Sequence, residues 1–277
     1  LMIKVKYTNK VKTCLGMILA VAIVMNSSIN ASADSDGNTC SVGIATVSDY
    51  THWNGDLKNL KAPSSIANDI YDEFKSGQAK KWSVGFLLTN TGVFENVFKG
   101  KSLGGQDDLY ADNVDLLFYS GHGLQPNTHG AGNYYSFALD YKKGKHYAKQ
   151  PEMFLGNKDL EWFVTFTCNF LNGGLSEVGH MAKGIHSICG YQTVILLVPN
   201  MGKVMCGKLK KGISVKEAFF ATADETQPWK DIYQRTAAVF TTKDCATDRI
   251  WGYGSQADDP KPYSEAPGKY IIYKYNY

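Results

Sequence analysis

Two apolar stretches decide the fold: VDLLFYSGHG at residues 114–123 and WFVTFTCN at residues 162–169. Each is rich in β-branched and aromatic residues and lacks the polar alternation of a strand with one face in water. Both therefore predict interior strands of a parallel sheet. Ligands of open parallel α/β sheets lie beyond the carboxyl ends of the strands. If these strands are neighbours, about 4.8 Å apart, the residues that follow them meet at one edge.

His122 and Cys168 follow these strands, and together they can form a thiol nucleophile. A free thiol is only slightly ionised near neutral pH, so an imidazole that accepts its proton activates it and can later protonate a departing amine. Gly121 and Gly123 leave the main chain beside His122 bare, so that a substrate can approach and a backbone N–H can face an oxyanion. The alternative is that His122 lies in a Gly-rich turn and Cys168 is buried as a small apolar residue.

Strand and helix patterns alternate along the rest of the chain, which is typical of an α/β sandwich with a mainly parallel central sheet and helices on both faces. Further strands are predicted at residues 41–47, 82–88, 185–192, 237–242 and 270–275. Of these, 237–242 is predicted as a sheet edge. Helices are predicted from Pro63 with Ser64 or Ser65 as cap, over residues 201–211, and after the cap Ser214. Residues 124–156 predict a long loop over the site, with a short strand at 134–139.

The strand ending in YSGHG at residues 119–123, followed by a strand ending in Cys168, resembles the caspase-like cysteine peptidases. This group includes caspases, legumains, gingipains, clostripain and separase. Within it, GIHSICGY at 184–191 and KGISVKEAF at 211–219 are most similar to bacterial caspase-like proteins, and the resemblance covers residues 40 to 245. It implies that His122 is the general base and acid, that Cys168 is the nucleophile, and that the main-chain N–H groups of Gly123 and Cys168 form the oxyanion hole.

The predicted site is a dyad, because no third group that orients His122 can be identified. Asp115 lies seven residues earlier on the same strand. At about 3.3 Å per residue, this places it near the opposite end of the sheet.

No cofactor and no metal site are predicted. His180, His186 and Cys189 are too loosely spaced for a recognisable zinc site. Asp258 and Asp259 lie in a turn, where adjacent acidic residues are more typical of a solvated surface than of calcium binding.

Residues 1–33 have the order of a cleavable secretion signal. Four lysines precede an apolar stretch at 14–25, which is shorter than the roughly 20 residues that cross a bilayer, and Ala31-Ser32-Ala33 follows. We therefore predict a secreted protein with one domain at 34–277 and no membrane association after cleavage. Cleavage leaves 25 basic and 26 acidic residues, so the basic surface expected of a nucleic-acid-binding protein is missing.

Five cysteines remain after this cleavage, which is an odd number for an exported protein. They are Cys40, Cys168, Cys189, Cys206 and Cys245. If Cys168 is the reactive thiol, the other four can form two disulfides. The alternative, that all five are reduced, stays open at this point.

Two functions from different classes fit these patterns. The first is a peptidase that cleaves a peptide or protein substrate. Strict specificity for aspartate is disfavoured because the chain has only two arginines, Arg235 and Arg249. Asp140 is a candidate for lining a pocket, although an ordinary acidic residue at a strand end explains it better. The second function is a non-catalytic secreted module that binds peptide or glycan through loop aromatic residues. These are Tyr50, Trp53, Tyr134, Tyr135 and Trp251.

Overall fold

The two apolar strands lie side by side in the middle of a seven-stranded sheet. The computed structural model describes residues 40–76, 82–140, 146–227, 234–251 and 256–277, and the predicted secretion signal lies outside them. The strands are β1 (Cys40–Thr46), β2 (Trp82–Thr89), β3 (Leu116–Ser120), β4 (Gly123–Leu124), β5 (Ser136–Leu139), β6 (His146–Lys149), β7 (Trp162–Phe166), β8 (Ser187–Tyr191), β9 (Thr236–Thr242) and β10 (Tyr270–Asn276).

The strand order of the large sheet is β10-β9-β8-β7-β3-β1-β2. Strands β2, β1, β3, β7 and β8 are parallel, while β9 runs antiparallel to both β8 and β10. The predicted α/β fold with a mainly parallel sheet is confirmed. The prediction that residues 237–242 form an edge is wrong, because β10 pairs with β9 along its whole length and itself forms the edge.

Three helices cover one face of the sheet: α1 (Ala62–Lys75), α3 (Met201–Lys210) and α4 (Val215–Thr226). Ile66, Ile70 and Phe74 of α1 recur at helical spacing, and their side chains are buried against the sheet. A short helix α2 (Leu175–Gly179) and a second sheet of β4, β5 and β6 contribute to the opposite layer. The central sheet thus has an apolar core on each side, as a sandwich requires.

The predicted helix cap is confirmed for α4 but not for α1. The Ser214 hydroxyl accepts a hydrogen bond from the Glu217 N–H (3.4 Å), which confirms the predicted cap of α4. Helix α1 instead begins at Ala62, because Pro63 fits its first turn, where a missing N–H costs nothing. The predicted cap at Ser64 or Ser65 is therefore wrong. The Ser64 hydroxyl pairs with that of Ser48 (2.6 Å).

The small sheet forms from the segment that was predicted as a long loop with one strand. Its three strands are antiparallel in the order β4-β5-β6, and β4 begins directly after His122. Phe137 of β5 stacks on Tyr119 of β3 at a centroid distance of 3.9 Å, and on Phe170 at 4.3 Å. These buried aromatic contacts hold the chain that carries His122 against the central sheet.

The two-disulfide alternative is wrong. In the described part of the chain, Cys168, Cys189, Cys206 and Cys245 all have free thiols. Cys189 and Cys206 are buried in the core on the helix side of the sheet, where packing explains both.

None of the helices within the described residues combines the length and the apolar character that crossing a membrane requires.

Candidate active site

The main chains that carry His122 and Cys168 lie against each other. Strands β3 and β7 pair in parallel with Ser120 opposite Phe166, so they end at the same level of the sheet. A Cβ on Gly123 would lie only 2.0 Å from the carbonyl oxygen of Cys168, which shows how closely the two segments approach. The two strands are thus neighbours, which is the condition for the residues after them to meet at one edge.

The imidazole of His122 has a defined tautomer. Its Nε2 lies 2.9 Å from the carbonyl oxygen of Lys58, and because a carbonyl can only accept, Nε2 carries the proton. Nδ1 therefore has a free lone pair, and no described residue hydrogen-bonds to it. The Tyr50 ring packs edge-on at 4.7 Å, and its hydroxyl accepts the His122 main-chain N–H (2.8 Å). Burial lowers the pKa of His122, while the Lys58 carbonyl acts in the opposite direction.

The Cys168 thiol is half-buried beside the loop that follows β8. Its Sγ accepts a hydrogen bond from the main-chain N–H of Ile195 (3.4 Å) and lies 3.6 Å from the Ile195 carbonyl oxygen. Burial raises the pKa of the thiol above its usual value, whereas the Ile195 main chain and the charge of Arg235 act to lower it. Both pKa shifts disfavour a thiolate–imidazolium pair.

The thiol and the imidazole have separate partners. Within the described residues no hydrogen bond joins Cys168 Sγ to His122. The thiol contacts Ile195 and the core on the helix side, whereas the imidazole contacts Tyr50 and Lys58. The fold thus brings the two main chains together but leaves the two side chains with different partners.

Two main-chain N–H groups at these strand ends are not engaged by the small sheet. The Ala138 N–H bonds to the His122 carbonyl (3.0 Å), which makes Gly123 and Phe137 a non-hydrogen-bonded pair and directs the Gly123 N–H away from β5. The Cys168 N–H finds no acceptor among the described residues. Both groups are those that the family resemblance implies for an oxyanion hole.

The apolar loop at residues 194–199 lies beside the thiol and is not predicted from the sequence. The Gln227 side chain bonds both the N–H (3.1 Å) and the carbonyl (2.9 Å) of Leu196, and the buried guanidinium of Arg235 donates to its Oε1 (2.6 Å). Val194 is 61% exposed and Leu196 is 39% exposed, although both are apolar. The available signal was the run VILLVP at 194–199, which continues apolar after the end of β8.

Neither candidate acidic residue joins the site. Asp115 accepts hydrogen bonds from the main chain and the hydroxyl of Ser41 at the far end of the sheet, which confirms that it cannot orient His122. Asp140 is fully buried and holds His52, whose Nδ1 lies 2.9 Å away and whose main-chain N–H lies 3.2 Å away. Asp140 thus fixes the loop that follows β1.

The aromatic residues proposed for a binding surface are mostly in the core. Tyr50 and Trp53 are 1% and 0% exposed, and Trp251 packs against Phe74 and Trp82. The expectation that these three form a recognition surface is wrong. Tyr134, at 49% exposure, is the member of the set that presents its ring to solvent.

The chain belongs to the family described as a domain of unknown function (DUF6345), which matches residues 44–273. This range includes β3, β7 and both predicted catalytic residues. No curated protein matches the chain at a significant level.

Proposed function

We propose that this protein is an exported caspase-like cysteine peptidase that cleaves peptide bonds with His122 and Cys168. One observation carries the proposal: these residues follow neighbouring, in-register parallel strands, with the Gly123 main chain against Cys168. An α/β fold assembles its catalytic centre beyond the carboxyl ends of its parallel strands. The thiol and the imidazole of this chain follow two such adjacent ends.

Each group has a role that its contacts support. His122 Nδ1 takes the thiol proton, and the Cys168 thiolate attacks the peptide carbonyl carbon. The N–H groups of Gly123 and Cys168 stabilise the oxyanion. The C–N bond then breaks as the imidazolium protonates the amine, which leaves a thioester that water hydrolyses with His122 as base. The Lys58 carbonyl favours this cycle because it keeps Nε2 protonated and Nδ1 available.

In the proposed enzyme, the contact between the Cys168 thiol and Ile195 belongs to the state without substrate. The thiol makes only weak sulfur hydrogen bonds to the Ile195 main chain, which a peptide docked on the exposed Val194 and Leu196 can replace. Catalytic hydrogen bonds are commonly loose before substrate binds and tighten in the complex.

Labelling by a thiol-directed peptide electrophile tests the proposal. We expect a pool of peptidyl acyloxymethyl ketones with varied side chains to modify the native full chain at Cys168. Labelling should be lost in Cys168→Ala and reduced at least 100-fold in His122→Ala, but kept in Cys206→Ala, which removes a buried thiol of α3. Equal labelling of native and His122→Ala protein would overturn the proposal.

The pH dependence of thiol alkylation is a second prediction. The pKa of Cys168 lies above its usual value and that of His122 below, and both shifts disfavour a thiolate–imidazolium pair in the protein without substrate. The rate of Cys168 modification by iodoacetamide, followed by mass spectrometry, should therefore keep rising up to and beyond pH 9 as the thiolate forms. A rate that already reaches its plateau near pH 6 would contradict these shifts and indicate a preformed ion pair.

A non-catalytic binding module is the second candidate. The observation that favours it is that Cys168 bonds to Ile195 instead of His122. In that case the exposed Val194, Leu196 and Tyr134 bind peptide or glycan, the electrophiles leave Cys168 unlabelled, and unreactive peptides still bind.

A further inference from the structure

A second cluster of reactive side chains lies at the opposite end of the central strands, where the parallel strands begin. His186 immediately precedes β8, and Cys245 and Asp248 lie in and after the 3-10 turn that follows β9. One ligand atom from each of the three residues lies within 4.8 Å of the others, and all three residues are buried. They form a compact group of one nitrogen, one sulfur and one oxygen donor, distant from His122 and Cys168.

The hydrogen bonds of His186 define the group more closely. Nδ1 lies 2.7 Å from Oδ2 of Asp248, and Nε2 lies 3.0 Å from Oδ1 of Asp259. The side chains of His186 and Asp248 are only 2% and 1% exposed. Asp248 also accepts the indole N–H of Trp162 (3.3 Å) and the main-chain N–H of Ala257 (2.9 Å), so its position is fixed from several sides.

A further buried acidic residue lies beside this cluster. No lysine or arginine of the described residues forms an ion pair with Asp248 or with Glu161, which precedes β7 and is 5% exposed. One oxygen of Glu161 is buried without a hydrogen-bond partner. An imidazolium between Asp248 and Asp259 neutralises one charge, but it gives the Cys245 thiol no function.

We propose that His186, Cys245 and Asp248 bind a divalent transition-metal ion of the zinc class. His186 Nδ1, Cys245 Sγ and one oxygen of Asp248 are the ligands, and Asp259 accepts the Nε2–H and orients the ring, as carboxylates do for metal-bound histidines. Imidazole with thiolate favours zinc over calcium or magnesium, which prefer oxygen ligands. Binding displaces the thiol proton of Cys245 and one imidazole proton of His186.

The location assigns the ion a structural role. It joins the start of β8 to the turn after β9 and, through Asp259, to the segment that leads into β10. The ion thereby connects β8, β9 and β10 at one end of these strands. The site is independent of the proposed peptidase activity.

Metal binding to the full, tag-free chain tests the proposal. We expect close to one equivalent of zinc per chain by elemental analysis after expression with added zinc. Cobalt should replace it and give a thiolate-to-cobalt charge-transfer band. That band should be lost in Cys245→Ala but kept in the matched variants Cys206→Ala and Cys168→Ala. Saturating zinc should raise the melting temperature of the apo-protein by about 5 °C or more.

Other outcomes overturn the proposal. Less than about a tenth of an equivalent of zinc, no cobalt band and an unchanged melting temperature would show that His186 is only an imidazolium between two carboxylates. A cobalt band that survives in Cys245→Ala would place the ion elsewhere. If Cys245→Ala does not fold, X-ray absorption of the zinc-loaded wild type decides, because the site requires one sulfur and one imidazole ligand.

Discussion

Gly123→Ala should destabilise the fold by about 3 kcal/mol and reduce the proposed peptidase activity at least 100-fold. The added Cβ would lie 2.0 Å from the Cys168 carbonyl oxygen and 2.7 Å from Thr167 Oγ1. The nearest of these atoms belongs to the main chain at the end of β7, so a side-chain rotation cannot remove the clash. Either β4 or Cys168 must move, and both movements displace the two predicted oxyanion donors.

Thermal unfolding and peptide hydrolysis measure the two effects separately. A loss of about 3 kcal/mol corresponds to a decrease of about 10 °C in melting temperature for a domain of this size. The matched control is Gly207→Ala in α3, where the added Cβ meets nothing within 4 Å and helix propensity favours alanine by about 1 kcal/mol. Wild-type stability in Gly123→Ala would show that β4 does not lie against Cys168, and the oxyanion assignment would fail with it.

The central sheet could be predicted because the apolar composition of its strands is visible within each strand's own sequence. Strands β3 and β7 are entirely buried, and their unbroken apolar runs already indicate interior parallel strands. The alternation of residue types along 270–275 predicts strand β10, but it does not identify the strand with which β10 pairs. The antiparallel pairing of β9 with β8 and β10 depends on contacts between distant segments, so the edge was assigned to the wrong strand.

The side-chain geometry of the site was less predictable, for physical reasons. Sequence places His122 and Cys168 at adjacent strand ends, but the contact of the thiol with Ile195 depends on a loop 27 residues away. The same holds for the His186 cluster. Cys245 and Asp248 follow another strand, and the antiparallel pairing that brings the end of β9 to the start of β8 was not foreseen. Local spacing suggested Cys189 instead, which lies in β8 and is buried in the core on the helix side.

His122→Ala should lower kcat/KM by about 1000-fold, the usual contribution of a general acid–base residue. The thiol of Cys168 has a raised pKa, so little thiolate exists at neutral pH without a base to take the proton. The loss should fall on kcat and leave KM within a few-fold, because the imidazole acts on the reacting atoms. The control is His129→Ala, an exposed histidine whose charge contributes to the lowered pKa of His122. It should keep near wild-type activity.

Two measurements separate this catalytic role from a structural one. Burial lowers the pKa of His122, so wild-type kcat/KM should rise as pH increases through this lowered pKa, where the neutral imidazole forms. In His122→Ala this limb should disappear, and added imidazole should restore part of the rate by occupying the space of the lost ring. If His122 only supported the main chain through Tyr50 and Lys58, imidazole would restore nothing and the variant would retain the acid limb. Retention of that limb, together with unchanged kcat, would assign the proton transfer to another group and remove His122 from the mechanism.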